Sequence, residues 1–446
     1  MNTVHNKYPA IAYGYSVFIT PEGGHISLYE EHNSIKRALS PCDDLNVQAC
    51  AILQQCTGCN TVVEICEILE KTFEDVPSDL FDQVKTFLDK AFQKGYITYS
   101  DTPVEGEGLI QGSLDYYVPS QVLLETTTGC NLECGHCYLP AGEPLPDELP
   151  VSEFIPILEK LHTMGVKRVD LSGGEILTKK GWDILADFCK NRFSSSILSN
   201  GILITDDIAD RLSEYSNIHI SLYGKDAETH EKISNVKKSF ERAVTGITLL
   251  AERGAAVSAS VIVVPCNIHQ VDDIVALAVS LKCTAVQVGV VCPVGRAHDR
   301  SWELTGEQMD WLRTEINALQ KKYKEIDIQW EEELKSQIGH RCRAGSALWV
   351  ITANGDVYPC EVLRIPVGNV TKDDLEDLCR SPAVKFLQEV QTPHDAMCGD
   401  CLLLHACEGC HGHAFALYSG VDHCRWAEQF DKAPEPLKNI IKHKKS

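Results

Sequence analysis

Thr128-Gly129-Cys130-Asn131-Leu132-Glu133-Cys134-Gly135-His136-Cys137-Tyr138 decides how this chain is read. Its cysteines are spaced C-x3-C-x2-C and come directly after Val118 to Thr126, a stretch apolar enough to be a buried strand. The three thiols therefore fall in the loop at that strand's C-terminal end. Thiolates are soft ligands that suit iron-sulfur clusters, zinc or copper(I), and a cubane [4Fe-4S] cluster normally takes four of them. Three leave one iron free to bind something else. A zinc site or a set of buried free cysteines is the alternative. Zinc motifs pair one C-x2-C with a second or with two histidines, and nothing nearby supplies that half.

Downstream, strand and helix alternate. Strands are expected at 118–126, 167–171, 195–199, 217–222, 256–264 and 284–291, and helices at 151–164, 179–191, 205–214, 237–253 and 269–281. Six strands alternating with helices imply a parallel sheet with right-handed crossovers, whose site lies at the strands' C-terminal ends. Ser172-Gly173-Gly174-Glu175 follows the second strand, and its two glycines let the backbone approach a ligand closely. Ser199-Asn200-Gly201 follows the third strand and Ser221-Leu222-Tyr223-Gly224 the fourth. The sixth runs into Gly289-Val290-Val291-Cys292-Pro293-Val294-Gly295-Arg296-Ala297.

The cysteine spacing and these loops resemble the radical S-adenosylmethionine (SAM) enzymes. That resemblance implies a partial (β/α)6 barrel, with Cys130, Cys134 and Cys137 holding a [4Fe-4S] cluster whose open iron is chelated by SAM. It also implies that Gly173, Gly174 and Glu175 hold the amino group of SAM. Ser199 and Asn200 match a T-N-G-like turn, and Ser221 is the ribose contact, with Tyr223 standing where the family usually has an acid. Val288 to Val290 would flank adenine, and His136 would stack on it.

Further on, Cys342 precedes Asn354-Gly355-Asp356, a turn between Leu348 to Ile351 and Val357 to Tyr358 that would bring Cys342 and Cys360 together. Cys398-x2-Cys401-x5-Cys407-x2-Cys410 and Cys424 follow. This array resembles the SPASM domain, which houses two auxiliary [4Fe-4S] clusters. The resemblance implies Cys342, Cys360 and Cys410 for the first and Cys398, Cys401, Cys407 and Cys424 for the second, so that SAM and three clusters are expected in all. Some relatives have a further cysteine just before Cys342. Here Gln337 to Arg341 contains none, so the first auxiliary cluster is expected either to have an open iron that takes a cysteine thiolate of the substrate, or to be closed by His340 or Cys292. His405, His411 and His413 are expected beside the clusters or on the surface.

Toward the N-terminus, Tyr15 to Thr20 and His25 to Glu30 read as a hairpin across Pro21-Glu22-Gly23-Gly24, and Ser34 to Leu39 as a third strand. Helices follow at 45–55, at 61–73 after an Asn60 cap, and at 79–93 after Ser78, with Tyr96 to Tyr99 returning as a strand. Cys50 and Cys66 fall on apolar helix faces, and Cys56 and Cys59 read as structural thiols. The order is that of a winged helix and resembles the recognition element that captures leader peptides of ribosomally made natural products by adding the leader as a strand to a sheet edge.

The expected architecture is therefore α/β, in four parts: residues 1–100, the leader-binding winged helix; 101–117, an acidic linker; 118–320, the radical SAM partial barrel; and 321–446, the SPASM domain. With 44% hydrophobic residues the 446-residue chain can bury large cores, and it contains no run long enough to span a membrane. Residues 1–13 carry no secretory pattern, and 20 cysteines in such a chain read as reduced, metal-bound thiols in a cytoplasm rather than as disulfides. A formal charge of -22 disfavours nucleic acid as a partner. The whole pattern looks most like the subtilosin-type sactipeptide synthases, which join a cysteine sulfur of a precursor peptide to a carbon of another residue. It implies an external electron donor such as flavodoxin or ferredoxin. Carbon-carbon crosslinking, epimerisation, or a non-catalytic iron-sulfur partner that binds the leader are the competing functions.

Overall fold

A computed structural model describes residues 4–32, 35–299, 301–330 and 342–439. His340 and the stretch around it lie outside the described residues. Two compact units result. The first is Met1–Val118 with Glu159–Val166 and Asn191–Phe193, and the second is the remainder.

In the first unit the strands are β1 (Tyr8–Ile11), β2 (Tyr15–Thr20), β3 (Gly23–His32), β4 (Ile35–Leu45), β5 (Ile97–Ser100) and β6 (Leu109–Gly112), with helices α1 (Val47–Gln54), α2 (Val62–Thr72) and α3 (Leu80–Gln93). The hairpin is there, with Thr20 opposite Gly23, and β4 lies along β3. β5 pairs antiparallel with β1 in a separate two-stranded sheet. The stretch read as a linker supplies β6, which runs parallel to β2 with Leu109 opposite Ser16, so the order is β4-β3-β2-β6. Short, Gly-rich and acidic, that stretch carries no alternation to betray a strand whose partner is far away in sequence.

Helix α2 is capped by Thr61 rather than Asn60: Thr61 accepts from Glu64 N–H while the Glu64 carboxylate accepts from Thr61 N–H at 2.7 Å, a reciprocal box. The core gathers Ile11, Val17, Ile26, Leu53, Ile65 and Leu88. In α3 Val84, Leu88 and Ala91 take the inner face, and Phe92 is left 52% exposed. Cys50, Cys56 and Cys66 are buried, and burial pushes the Cys50 thiol up to about 11.

The second unit holds one continuous sheet. Strands β7 (Gln121–Glu125), β8 (Arg168–Ser172), β9 (Ser194–Ser199), β10 (Ile218–Ser221), β11 (Val257–Val263), β12 (Ala285–Val290) and β13 (Asp327–Trp330) are parallel neighbours in chain order. Helices α4 (Val151–Met164), α5 (Trp182–Arg192), α6 (Asp206–Leu212), α7 (Ala227–Ser234), α8 (Ser239–Glu252), α9 (Val271–Ser280) and α10 (Gly306–Lys322) connect them. All six expected strands are present, and the architecture is the expected α/β partial barrel. Helix α7 is an addition: Asp226 caps it, and Asn235 in a left-handed conformation ends it before α8.

On its other edge β7 pairs in parallel with β14 (Leu348–Ile351), which continues antiparallel into β15 (Asp356–Tyr358) and β16 (Gly368–Asn369). The C-terminal cysteine region thus starts as an extension of the barrel sheet. Among the described residues no helix is long and apolar enough to cross a membrane.

Candidate metal centre and cofactor site

The chain leaves β7 through Thr126, Thr127 and Thr128, and one carboxylate organises this exit. Glu148 accepts from Thr127 Oγ1 at 3.0 Å, from Thr128 N–H at 2.7 Å and from Leu145 N–H at 3.2 Å, with Lys179 Nζ at 3.3 Å. Burial alone would raise its pKa, and these donors outweigh it and hold the carboxyl below its usual range. The cysteine loop that follows is closed by Cys130 N–H to Gly142 O and Gly142 N–H to Thr128 O, both at 2.8 Å.

Cys130, Cys134 and Cys137 come together against Leu132, Tyr223, Ile233 and Val264. Burial first, with the charge of neighbouring thiols adding to it, pushes Cys130 up to about 11 and Cys134 to about 12. Cys134 is buried and Cys130 and Cys137 are half-buried. Thiols this close repel one another as anions and are stabilised as thiolates by a shared cation, so the donor set is of the kind an iron-sulfur cluster takes.

Arg296, which spacing and composition leave without a role, grips this loop. Its Nε donates to Cys134 O and its Nη1 to Ala141 O, each at 2.7 Å, while its own N–H donates to Cys137 O. Gly295 precedes it at φ 61°, where a Cβ would lie 2.3 Å from Tyr138 O. Glycine is required there because two backbones touch.

The loops expected to hold SAM meet beside the thiols. Glu175 is 1% exposed, and its carboxylate accepts from Ser199 Oγ at 2.8 Å, Asn200 N–H at 2.8 Å and Leu177 N–H at 3.1 Å. Burial raises its pKa against those three hydrogen bonds. Asn200 Nδ2 in turn donates to Asn131 Oδ1 at 2.7 Å, inside the cysteine loop. Gly173 and Gly174 bring this loop against backbone: Gly174 N–H donates to Thr127 O at 2.7 Å and Glu175 N–H to Gly129 O at 2.8 Å.

Ser221 ends β10, two residues before Tyr223, whose ring meets that of His136 edge-on at 4.7 Å. The His136 Nδ1 is buried without a hydrogen-bond partner. Burial, helped by the Arg296 charge, lowers the ring to about 4 and keeps it neutral. The Tyr223 backbone N–H donates to His230 Nδ1 at 3.1 Å, fixing that buried ring as well.

The seven C-terminal cysteines fall into two neighbourhoods. Cys342, Cys360 and Cys410 influence one another electrostatically, and burial pushes Cys342 to about 11 and Cys360 well above a thiol's usual value. Backbone N–H groups point at their sulfurs, from Ala344 to Cys342 at 3.4 Å, from Leu363 to Cys360 at 3.1 Å and from His413 to Cys410 at 3.5 Å. Cys398, Cys401, Cys407 and Cys424 line one small cavity with Pro393, Tyr418 and Trp426. Of the nearby histidines, His405 is exposed, His413 bonds to Ala406 O at 2.8 Å, and His411 is fully buried, accepting from the Trp426 indole at 3.1 Å. Cys292 is buried just beyond β12.

Comparison with known proteins accords with this arrangement. The family described as "Radical SAM superfamily" matches residues 124–278, "Iron-sulfur cluster-binding domain" (SPASM) matches 342–402, and "Coenzyme PQQ synthesis protein D (PqqD)" matches 43–97. The sporulation killing factor maturation protein SkfB of Bacillus subtilis is 30% identical over 283 residues, 61% of this chain and 68% of that one. The antilisterial bacteriocin subtilosin biosynthesis protein AlbA of the same organism is 24% identical, covering 98% of this chain and 99% of its own. Among solved structures, Streptococcus suis SuiB bound to precursor peptide SuiA superposes with a TM-score of 0.61 at 16% identity, over 91% of this chain and 96% of that one. The chain belongs to the radical SAM superfamily and, within it, to the oxidoreductases that carry a SPASM domain and an N-terminal PqqD-like domain. Membership implies that it binds SAM and iron-sulfur clusters.

Proposed function

We propose that this protein matures a ribosomally made precursor peptide by joining a cysteine sulfur to a carbon of another residue. What carries this reading is the match to AlbA along 98% of the chain, which takes in all three cysteine groups and the N-terminal domain together. With a cluster and SAM bound, reductive cleavage of SAM would supply a 5'-deoxyadenosyl radical to take a hydrogen atom from the acceptor carbon. The peptide thiolate, its proton already lost to solvent, would then bond to that carbon and leave the remaining electron to an auxiliary cluster. Cys130, Cys134 and Cys137 hold the first cluster, Cys342, Cys360 and Cys410 the second, and Cys398, Cys401, Cys407 and Cys424 the third. The first auxiliary group has three thiols, and the peptide's own cysteine thiolate completes it.

Around SAM, Gly173, Gly174, Glu175, Ser199, Asn200 and Ser221 line the cofactor and His136 flanks its adenine. The donors to the buried Glu175 carboxylate are neutral, and the amino group of SAM would supply the positive charge that a buried anion needs. Electrons come from a small flavodoxin- or ferredoxin-type protein. A chain of net charge -22 with this chemistry acts on peptide rather than nucleic acid, in a reducing cytoplasm.

The N-terminal unit holds the leader. Strand β4 ends its sheet, and beside its C-terminal end a groove of about 920 Å³ opens between α1 and α3, lined by Leu45, Val47, Val76, Leu80 and Phe87. The leader enters here as an added strand, backbone to backbone, with apolar side chains facing α3. Val47 stands in the first turn of α1, where an acid is compatible with the helix. Val47→Asp is therefore expected to leave the fold intact and weaken leader binding about tenfold. Fluorescence anisotropy of a labelled leader peptide measures it, and unchanged affinity would remove the groove from the reading.

The function itself is tested by mass spectrometry of the precursor peptide coexpressed with and without the enzyme, and again with the peptide's cysteines changed to alanine. Loss of two hydrogens per link that disappears with the cysteine is the expected result. An unchanged mass in ordinary water, with solvent deuterium retained in heavy water, would mean epimerisation instead.

A further inference from the structure

A group of charged and half-buried aromatic side chains, centred on one buried carboxylate, lies between the segment that carries Cys137 and the segment that carries Cys360. Glu125 is the last residue of β7, with its side chain 2% exposed. Arg364, four residues beyond Cys360, donates from Nη1 and Nη2 to its two oxygens at 2.7 and 3.0 Å. The same guanidinium lies 4.4 Å over the Tyr358 ring and 5.8 Å from the ring of Tyr138, the residue after Cys137. Burial, then Glu125 and Glu361, hold the Tyr138 phenol well above its usual pKa. One end of this cluster is thus one residue from a thiol of the first group. The other is tied to a thiol of the second, through the Leu363 N–H that donates to Cys360 Sγ.

Around Cys360 the backbone is tied at Pro359 and Val367 and packed through Leu363 and Ile365, while Arg364 between them reaches Glu125. The pairing of β14 with β7 fixes the hairpin, but residues 359–367 belong to no helix or strand, and Cys360 sits at the start of that stretch. A buried ion pair seldom adds stability over a well-packed apolar pair, because desolvation offsets the Coulomb term. What a two-pronged guanidinium-carboxylate contact adds is direction: it fixes orientation as well as distance.

We propose that Glu125 and Arg364 are a positioning pair that holds the 359–367 segment, and with it Cys360, at a set place relative to Cys130, Cys134 and Cys137. In this way SAM cleavage is coupled to bond formation in the peptide. The inference rests on the thioether reading above.

The test uses the full-length holoenzyme with its precursor peptide and compares the wild type, the double variant Glu125→Leu/Arg364→Met and the single variant Arg364→Lys. The double variant leaves no orphaned charge in the interior, so the fold survives while the directed contact is lost. Its iron content is expected to equal that of the wild type, with 5'-deoxyadenosine formed at a similar rate. Crosslinks per 5'-deoxyadenosine fall at least about tenfold, since a misplacement of about 1 Å can cost on the order of 100-fold. Arg364→Lys, a point charge without the fork, falls between.

In the reduced enzyme without peptide, power saturation of the electron paramagnetic resonance signals is expected to shift in the double variant, reporting a changed separation between clusters. An unchanged ratio with unchanged saturation overturns the proposal. So does loss of iron from the double variant, which would make the pair part of cluster assembly. If wild-type enzyme produces no mass change in the peptide, the thioether reading fails, and the saturation measurement still decides the pair.

Discussion

Changing Cys130, Cys134 and Cys137 together to alanine is expected to abolish 5'-deoxyadenosine formation while about two-thirds of the bound iron remains. Each cubane cluster carries four irons, so a chain holding three clusters falls from about twelve irons to about eight. On the assignment proposed above, the two C-terminal groups keep theirs because none of their seven thiols belongs to the altered loop. The loop should keep its course, since Glu148 and Arg296 hold it through backbone and threonine groups, not through sulfur. Iron analysis, circular dichroism and chromatographic assay of 5'-deoxyadenosine check the three parts separately. Residual SAM cleavage would mean that another set of thiols carries the SAM-binding cluster. Loss of all iron would mean that the three groups assemble as one unit.

The same residues show how far sequence reaches. The barrel strands were legible because a strand buried on both sides must be nearly all apolar where it faces the helices: Val122 and Leu124, Val169 and Leu171, and Ile218 and Ile220 are all fully buried. The thiol groups were legible because ligand spacing is local. Cys342 and Cys360, far apart in sequence, came within reach through one hairpin signalled by Asn354-Gly355, with Gly355 at φ 87°.

What escaped depended on long-range backbone geometry. Nothing about Arg296 as a residue shows that its partners are the carbonyls of Cys134 and Ala141, more than 150 positions away. Strand β6 is four half-buried residues whose register with β2 is set by tertiary packing, not propensity. The two glycines of the Gly173-Gly174-Glu175 turn were read as making room for a ligand. In the structure they make room first for the cysteine loop.

That last difference gives a sharp expectation for Gly174→Ala. A Cβ built on Gly174 lies 2.4 Å from Gly129 O and 2.7 Å from both Gly129 C and Thr128 O, all backbone atoms with no side chain able to swing aside. The turn and the cysteine loop must separate, breaking Gly174 N–H to Thr127 O and Glu175 N–H to Gly129 O and moving Cys130 away from the carboxylate of Glu175. Two hydrogen bonds at about 1 kcal/mol each give a stability loss of about 2 kcal/mol, a modest fall in Tm. The functional loss should be far greater, because the separation disturbs residues on both sides of the proposed SAM site: SAM affinity and SAM cleavage are each expected to drop on the order of 100-fold. Gly142→Ala is the matched control, a glycine of the same loop with nothing within 4 Å of its added Cβ, and it should stay within about twofold of wild type. Equilibrium dialysis of labelled SAM against both variants separates the outcomes. If Gly174→Ala binds SAM as well as Gly142→Ala does, the close approach of these two backbones is a packing feature, and the position of Glu175 is set by its bonds to Ser199, Asn200 and Leu177.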